Sequence, residues 1–302
     1  MQSDWTGLDD ELREVLGTLI TGNCRKHAFA RTVVASRLAF LNFADSGWIT
    51  ECVIPLFDWE RNSTEAHQAW DGFRGNPYGL SQPLLSQLMP FYLQSVARGA
   101  NGPCRRDLLL SNLATLAFDG SIHKFGRNGW LDKMVAWAGS DDLNEWAASV
   151  TRALKTATPS AEPSFADWIL EYWRRRIEGI PRALLSEEGF EMVDWVLLAD
   201  ARFPDVVELL CQTPIKRSQS HRIFVSELAE SGMADRFPAA TAQLLHHVLN
   251  SLDGPIAHRE ELKLLIIALL RSCEETEGMR SSLDGALEEV IRIGFGDAIS
   301  WQ

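Results

Sequence analysis

The 302-residue sequence has no CxxC pair, no long apolar run and no excess of positive charge. Its five cysteines stand far apart, at 24, 52, 104, 211 and 273. That number and spacing argue against a zinc ribbon and against a disulfide framework. Scattered cysteines of this kind read as small buried apolar residues in a reducing cytoplasm. The longest greasy stretch, LKLLIIALL at 262–270, falls far short of the roughly 20 residues a bilayer span needs. It predicts a helix buried on most sides. The opening MQSDWTGLDDELREVL is acidic and lacks a signal-peptide core. The net charge is −12 and each third of the chain is acidic, so the broad basic surface of a nucleic-acid binder is missing.

Catalytic signatures are missing too. No GxxxxGK[ST], GxGxxG, GxSxG or HExxH occurs. The glycines of GFRGNPYG, 72–79, follow no strand, and they read as a loop between helices. No catalytic, cofactor-binding or metal-ligating residue is assigned, and no cofactor is expected.

Helical periodicity fills the space these absences leave. About 14–15 helices are predicted, near 8–20, 25–44, 47–58, 63–74, 81–98, 104–118, 127–138, 141–156, 164–178, 187–200, 204–213, 219–231, 238–252, 258–274 and 281–293. The punctuation agrees. Ser81 precedes Gln82-Pro83, an N-cap with proline in the first turn. Ser186 precedes Glu187-Glu188, which places acids where the helix dipole favours them. Glycine ends the runs at AFDG, IEGIP and AESG. TVVASRLAF, 32–40, resembles a strand, but its flanks favour helix. Helices of this length at about 20-residue intervals give antiparallel pairs near 40 residues, the period of HEAT-like solenoids. The predicted class is therefore all-α, a single helical-repeat domain over 1–302, with an irregular globular helical domain as the alternative. TATPSAEPS, 156–164, is the one linker-like stretch and marks a possible subdomain boundary.

Few residues stand out as candidates for function. Eleven tryptophans are many for this length. Most belong to a core, but tryptophan is also enriched at interaction hot spots, and Trp59 and Trp70 are the anchors selected here. His246 and His247 lie off the apolar stripe of their helix, which puts them on a solvent side or at a neighbouring groove. Side-by-side residues do not share a helix face, so they make a poor metal pair. In YWRRRIEGIP, 172–181, Tyr172 and Trp173 belong to a buried stripe with Phe165, Ile169 and Ile177. Arg174 and Arg175 point away from it, whereas Arg176 falls near its centre. Arg176, Tyr172 and Trp173 are therefore predicted to be structural.

Two blocks carry a family resemblance. VIPLFDWERNSTEAHQAWDGF spans 53–73, and 171–249 runs from EYWRRRI through RFPDVVELL and HRIFVSELAESGMADRFPAATAQLLHHVL. In order and spacing they resemble the bacterial domain of unknown function 4020, over roughly 45–270. The chain departs from the family's more aromatic pattern at 75–83 and 177–184. The resemblance implies a helical region that commonly follows a sirtuin-like, NAD-consuming domain in anti-phage defence proteins. It supplies no catalytic residues, and the catalytic sirtuin-like part has no counterpart in this sequence. The expectation is a non-enzymatic interaction or sensor module, cytoplasmic, whose partner is a protein such as a phage component or a defence effector. A membrane or nucleic-acid partner is not expected. The alternative is an uncatalogued hydrolase or NAD-linked enzyme with a His/Glu site in an inter-helix cleft.

Overall fold

The computed structural model describes residues 7–73, 80–103, 105–118, 123–127, 129–156, 167–215, 222–252, 259–272 and 277–301. Among the described residues the chain is all-α, with seventeen α-helical segments and no β-strand. No described helix is long and apolar enough to cross a membrane. Two compact units divide between Val150 and Thr151. The linker-like stretch at 156–164 lies outside the described residues, apart from Thr156.

The first unit holds α1 (Asp10–Thr21), α2 (Arg25–Ser36), α3 (Leu38–Ala44), α4 (Ser46–Trp48), α5 (Ser63–Gly72), α6 (Gln82–Ala97), α7 (Arg106–Ala117) and α8 (Trp130–Trp137). The division falls within α9 (Ser140–Thr156). The second unit holds α10 (Asp167–Ile177), α11 (Ser186–Leu197), α12 (Phe203–Cys211), α13 (Arg222–Glu230), α14 (Met233–Arg236), α15 (Pro238–Asn250), α16 (Arg259–Ser272) and α17 (Glu277–Arg292).

Two predicted helices break. The segment 25–44 splits at Arg37, whose φ of −109° and ψ of 14° leave the helical well. No proline or glycine marks the break, and burial stays in step across it: Leu38 is buried one turn after Val34, and Phe40 faces out seven residues after Val33. The segment 47–58 is not one α-helix. It is α4, a π-type turn at Ile49–Val53 and a 3-10 turn at Ile54–Phe57. Pro55 lacks the N–H that an α-helical ladder needs there.

The core of the first unit is aromatic. Phe57, Trp70, Phe73 and Tyr92 meet edge to face, with Phe57 5.0 Å and Tyr92 4.9 Å from Trp70 between ring centres. In the second unit Trp173 and Trp195 pack edge to face at 5.6 Å. Each indole N–H reaches a threonine hydroxyl, Thr213 at 2.8 Å and Thr151 at 2.9 Å. These two buried tryptophans thus keep their donors satisfied.

Arginines tie helix ends together. Arg31 of α2 is buried and donates to the carbonyls of Ile20 (2.7 Å) and Gly22 (2.8 Å), where α1 ends. Arg106 of α7 donates to Ser95, Val96 and Gly99 around the end of α6, and pairs with Asp142. Arg292 of α17 donates to Leu249 and Leu252 at the end of α15. The last carbonyls of a helix have no partner within it, and a cationic fork satisfies several at once.

The cysteines correct an expectation. Cys24 and Cys211 are exposed rather than buried, Cys52 is half-buried, and all three are free thiols. Cys24 sits at the N-cap of α2, with its sulfur 3.0 Å and its backbone nitrogen 3.2 Å from Nδ1 of His27. The pair replaces the usual hydroxyl–carboxylate capping box, so polarity rather than packing explains the position.

Candidate functional site

The most chemically crowded cluster is sealed inside the second unit. Arg176 and Glu188 are 1% and 0% exposed. Nη2 donates to Oε2 at 2.6 Å and Nη1 to Oε1 at 3.0 Å. Nη1 also donates to the Tyr172 hydroxyl at 3.0 Å, and that hydroxyl donates to Glu188. Nε and Nη2 reach the carbonyls of Arg182 and Ala183. Every N–H of the guanidinium therefore has an acceptor. Burial raises the Glu188 carboxyl above its ordinary range, and Arg176 pulls it back down. Burial also raises the Tyr172 phenol far above its usual value. Three polar groups locked together without solvent access staple α10 to α11, and no substrate can reach them. Trp173 is buried beside this cluster.

Trp59 and Trp70 do not stand on the surface. They are 2% and 6% exposed, and the surface-anchor expectation is corrected for both. Trp59 donates its indole N–H to the Ser95 hydroxyl at 2.7 Å and carries the Arg98 guanidinium over its ring at 5.0 Å. Trp70 donates to the Phe57 carbonyl within the aromatic core. In both cases the ring's large apolar area outweighs its polar handle, and a partner inside the fold satisfies that handle.

His246 and His247 are half-buried and line a groove of about 430 Å³ together with Glu208, Cys211, Gln243 and Ser282. The His246 ring lies against α17 where Gly285 has no side chain; a Cβ there would stand 2.7 Å from the ring. Burial lowers the pKa of His247, with a smaller contribution from His246 in the same direction. Cys211 is exposed as a residue, but the groove wall around its sulfur desolvates the thiol and pushes it up to about 11, which leaves it neutral at pH 7 and a poor nucleophile. Among the described residues no three His, Cys, Asp or Glu side chains are placed to hold a metal.

Among the described residues, most of the exposed large apolar side chains gather on α1, α2 and α3. Phe29, Phe40 and Phe43 are 70%, 68% and 87% exposed, and Leu12, Val15 and Val33 are exposed as well. Leu16, Val33, Val34, Arg37, Phe40 and Leu41 line one open groove of about 490 Å³. Leu12 is one helical turn from Leu16, Phe29 one turn from Val33, and Phe43 three residues from Phe40. These steps make the exposed side chains one continuous apolar face across α1, α2 and α3. Single exposed apolar residues are ordinary, but a patch with three phenylalanines is more than scattered exposure. On one wheel over 25–44, Phe29, Val33, Phe40 and Phe43 fall on one side and Val34, Ala35 and Leu38 on the other; both sides are apolar, so the pattern alone does not say which is buried. The available signal was Phe29 with Val33, four apart and opposite the buried Val34 and Ala35.

Comparison of the chain with protein-family models, with curated proteins and with solved structures finds no match.

Proposed function

We propose that this chain is a non-enzymatic helical-repeat interaction module that works through the α1–α3 face. Its setting is the cytoplasm of a bacterium defending itself against phage, beside a sirtuin-like NAD-consuming effector. The observation that carries the interaction role is the continuous apolar face with its three exposed phenylalanines. The repeat architecture is supported by packing between alternate helices, α10 with α12 and α15 with α17, as in stacked hairpins. The defence setting rests on the resemblance of 53–73 and 171–249 to the domain family named above.

The test compares two baits in phage-infected cells, the wild-type chain and Phe40→Glu/Phe43→Glu. A partner captured by the first and lost with the second is then purified and titrated against both. A partner that binds the two equally, or no partner above control, counts against this reading.

A further inference from the structure

We propose that a groove between α6 and α8 binds a small aromatic zwitterion, a free aromatic amino acid. The groove shares no residue with the α1–α3 face and does not depend on how that face is read.

The groove encloses about 470 Å³, a volume typical of small-molecule sites. One wall is α6, which contributes Ser86, Met89, Pro90 and Leu93, spaced so that they share one side of the helix. The other wall is α8, where Trp130, Lys133 and Trp137 recur at steps of three and four. Trp137 is 50% exposed, although it is among the largest apolar side chains in the chain. Beside Met89, Pro90 and Leu93 its ring offers the apolar surface on which another aromatic ring packs.

Charges of both signs line the same groove. Glu60, in the turn before α5, brings a carboxylate, and Lys133 brings an ammonium. Among the described residues neither has an ion-pair partner, and they do not pair with each other. The backbone adds an acceptor. Pro90 has no N–H, so the Ser86 carbonyl lacks the donor that an α-helix supplies four residues on. Glu60 and that carbonyl suit an ammonium group, whereas Lys133 and the exposed His123 are donors for a carboxylate. An aromatic acid would leave Glu60 uncompensated, and an aromatic amine would do the same to Lys133. A molecule that carries both charges on an aromatic body answers both residues and the Trp137 ring.

Isothermal titration calorimetry of the whole chain tests this with three probes: L-phenylalanine, which carries both charges, 3-phenylpropionate, which lacks the ammonium, and phenethylamine, which lacks the carboxylate. L-Phenylalanine is expected to bind with a Kd below about 1 mM, and each singly charged probe at least about tenfold more weakly. Glu60→Gln is expected to weaken L-phenylalanine at least about tenfold and to leave 3-phenylpropionate no weaker. Lys133→Met is expected to weaken L-phenylalanine by a similar factor and to leave phenethylamine no weaker. Trp137→Ala is expected to weaken all three. Glu60 and Trp137 are exposed and Lys133 is half-buried, so the fold does not rest on them, and far-UV circular dichroism checks each variant. No binding of any probe at about 10 mM overturns the proposal. A singly charged probe that binds as tightly as L-phenylalanine overturns it too, and so does L-phenylalanine binding that Glu60→Gln and Lys133→Met leave unchanged.

Discussion

Arg176 and Glu188 form a two-pronged ion pair with no exposure to solvent, at 2.6 Å and 3.0 Å. The pair joins the last turn of α10 to the first turn of α11. Its neighbour in sequence, Arg175, meets Glu171 at 3.9 Å with one fifth of its side chain exposed. Adjacent residues of one chemical type therefore hold unlike positions.

Arg176→Ala leaves Glu188 buried without its counter-charge and strips a hydrogen bond from Tyr172. A loss of about 3–5 kcal/mol is expected for breaking a buried pair from one side. Arg175→Ala is expected to cost roughly 0.5 kcal/mol or less. Arg176→Lys is expected to recover little, because an ammonium group cannot supply five donors in a plane. Urea melts of the three variants measure this, and equal midpoints for Arg176→Ala and Arg175→Ala would refute the assignment.

Alkali should destabilise the fold through Tyr172 and Tyr92, both buried, whose phenols burial raises above their ordinary value. A group whose folded pKa is raised contributes stability below its unfolded pKa, and that stability declines as pH climbs above it. The window therefore opens near pH 10, the unfolded phenol's value, and continues upward. Each such tyrosine is expected to cost the fold about 1.4 kcal/mol per pH unit in that window. Absorbance at the phenolate band is the check. Two of the three tyrosines should ionise only with loss of helix, and reversible native titration of all three near pH 10 contradicts the burial argument.

His247 predicts the opposite dependence. Burial lowers its pKa, so the fold holds it neutral, and the unfolded chain binds the proton more readily. Stability is complete above the unfolded value of about 6.5 and declines as pH falls from there toward the folded value. His247→Gln is expected to flatten the melting temperature between pH 7 and 5 relative to wild type. An identical slope in both proteins removes His247 as the source.

Two glycines inside helices separate packing from propensity. A Cβ at Gly72 would stand 2.0 Å from the Thr32 carbonyl oxygen, where α5 crosses α2, and neither backbone can yield. Gly72→Ala is expected to destabilise by about 1–3 kcal/mol or more through overpacking. Gly17, in α1, has nothing within 4 Å of the same added atom. Gly17→Ala is expected to stabilise by roughly 0.5–1 kcal/mol, the helix-propensity difference. Melting shifts of the same sign in both variants count against this account.

The sequence by itself determined the all-α class, most helix positions and the stripe that takes Tyr172, Trp173 and Arg176 inward. Those features follow from local rules: a 3.6-residue period, caps, and prolines and glycines at ends. It did not determine which acid Arg176 would meet, because Glu188 lies twelve residues away across a loop. Tertiary structure alone decided that Trp59 and Trp70 turn inward, since an aromatic ring suits a core or an interface equally well and only its neighbours choose. It also decided the break at Arg37, which no local residue marks. It decided too which of the two apolar sides of 25–44 is covered: Val34, Ala35 and Leu38 turn in, and Phe29, Val33, Phe40 and Phe43 stay out. A helix wheel separates two sides of a helix but cannot choose between them when both are apolar, because only the neighbouring helices decide which side is covered.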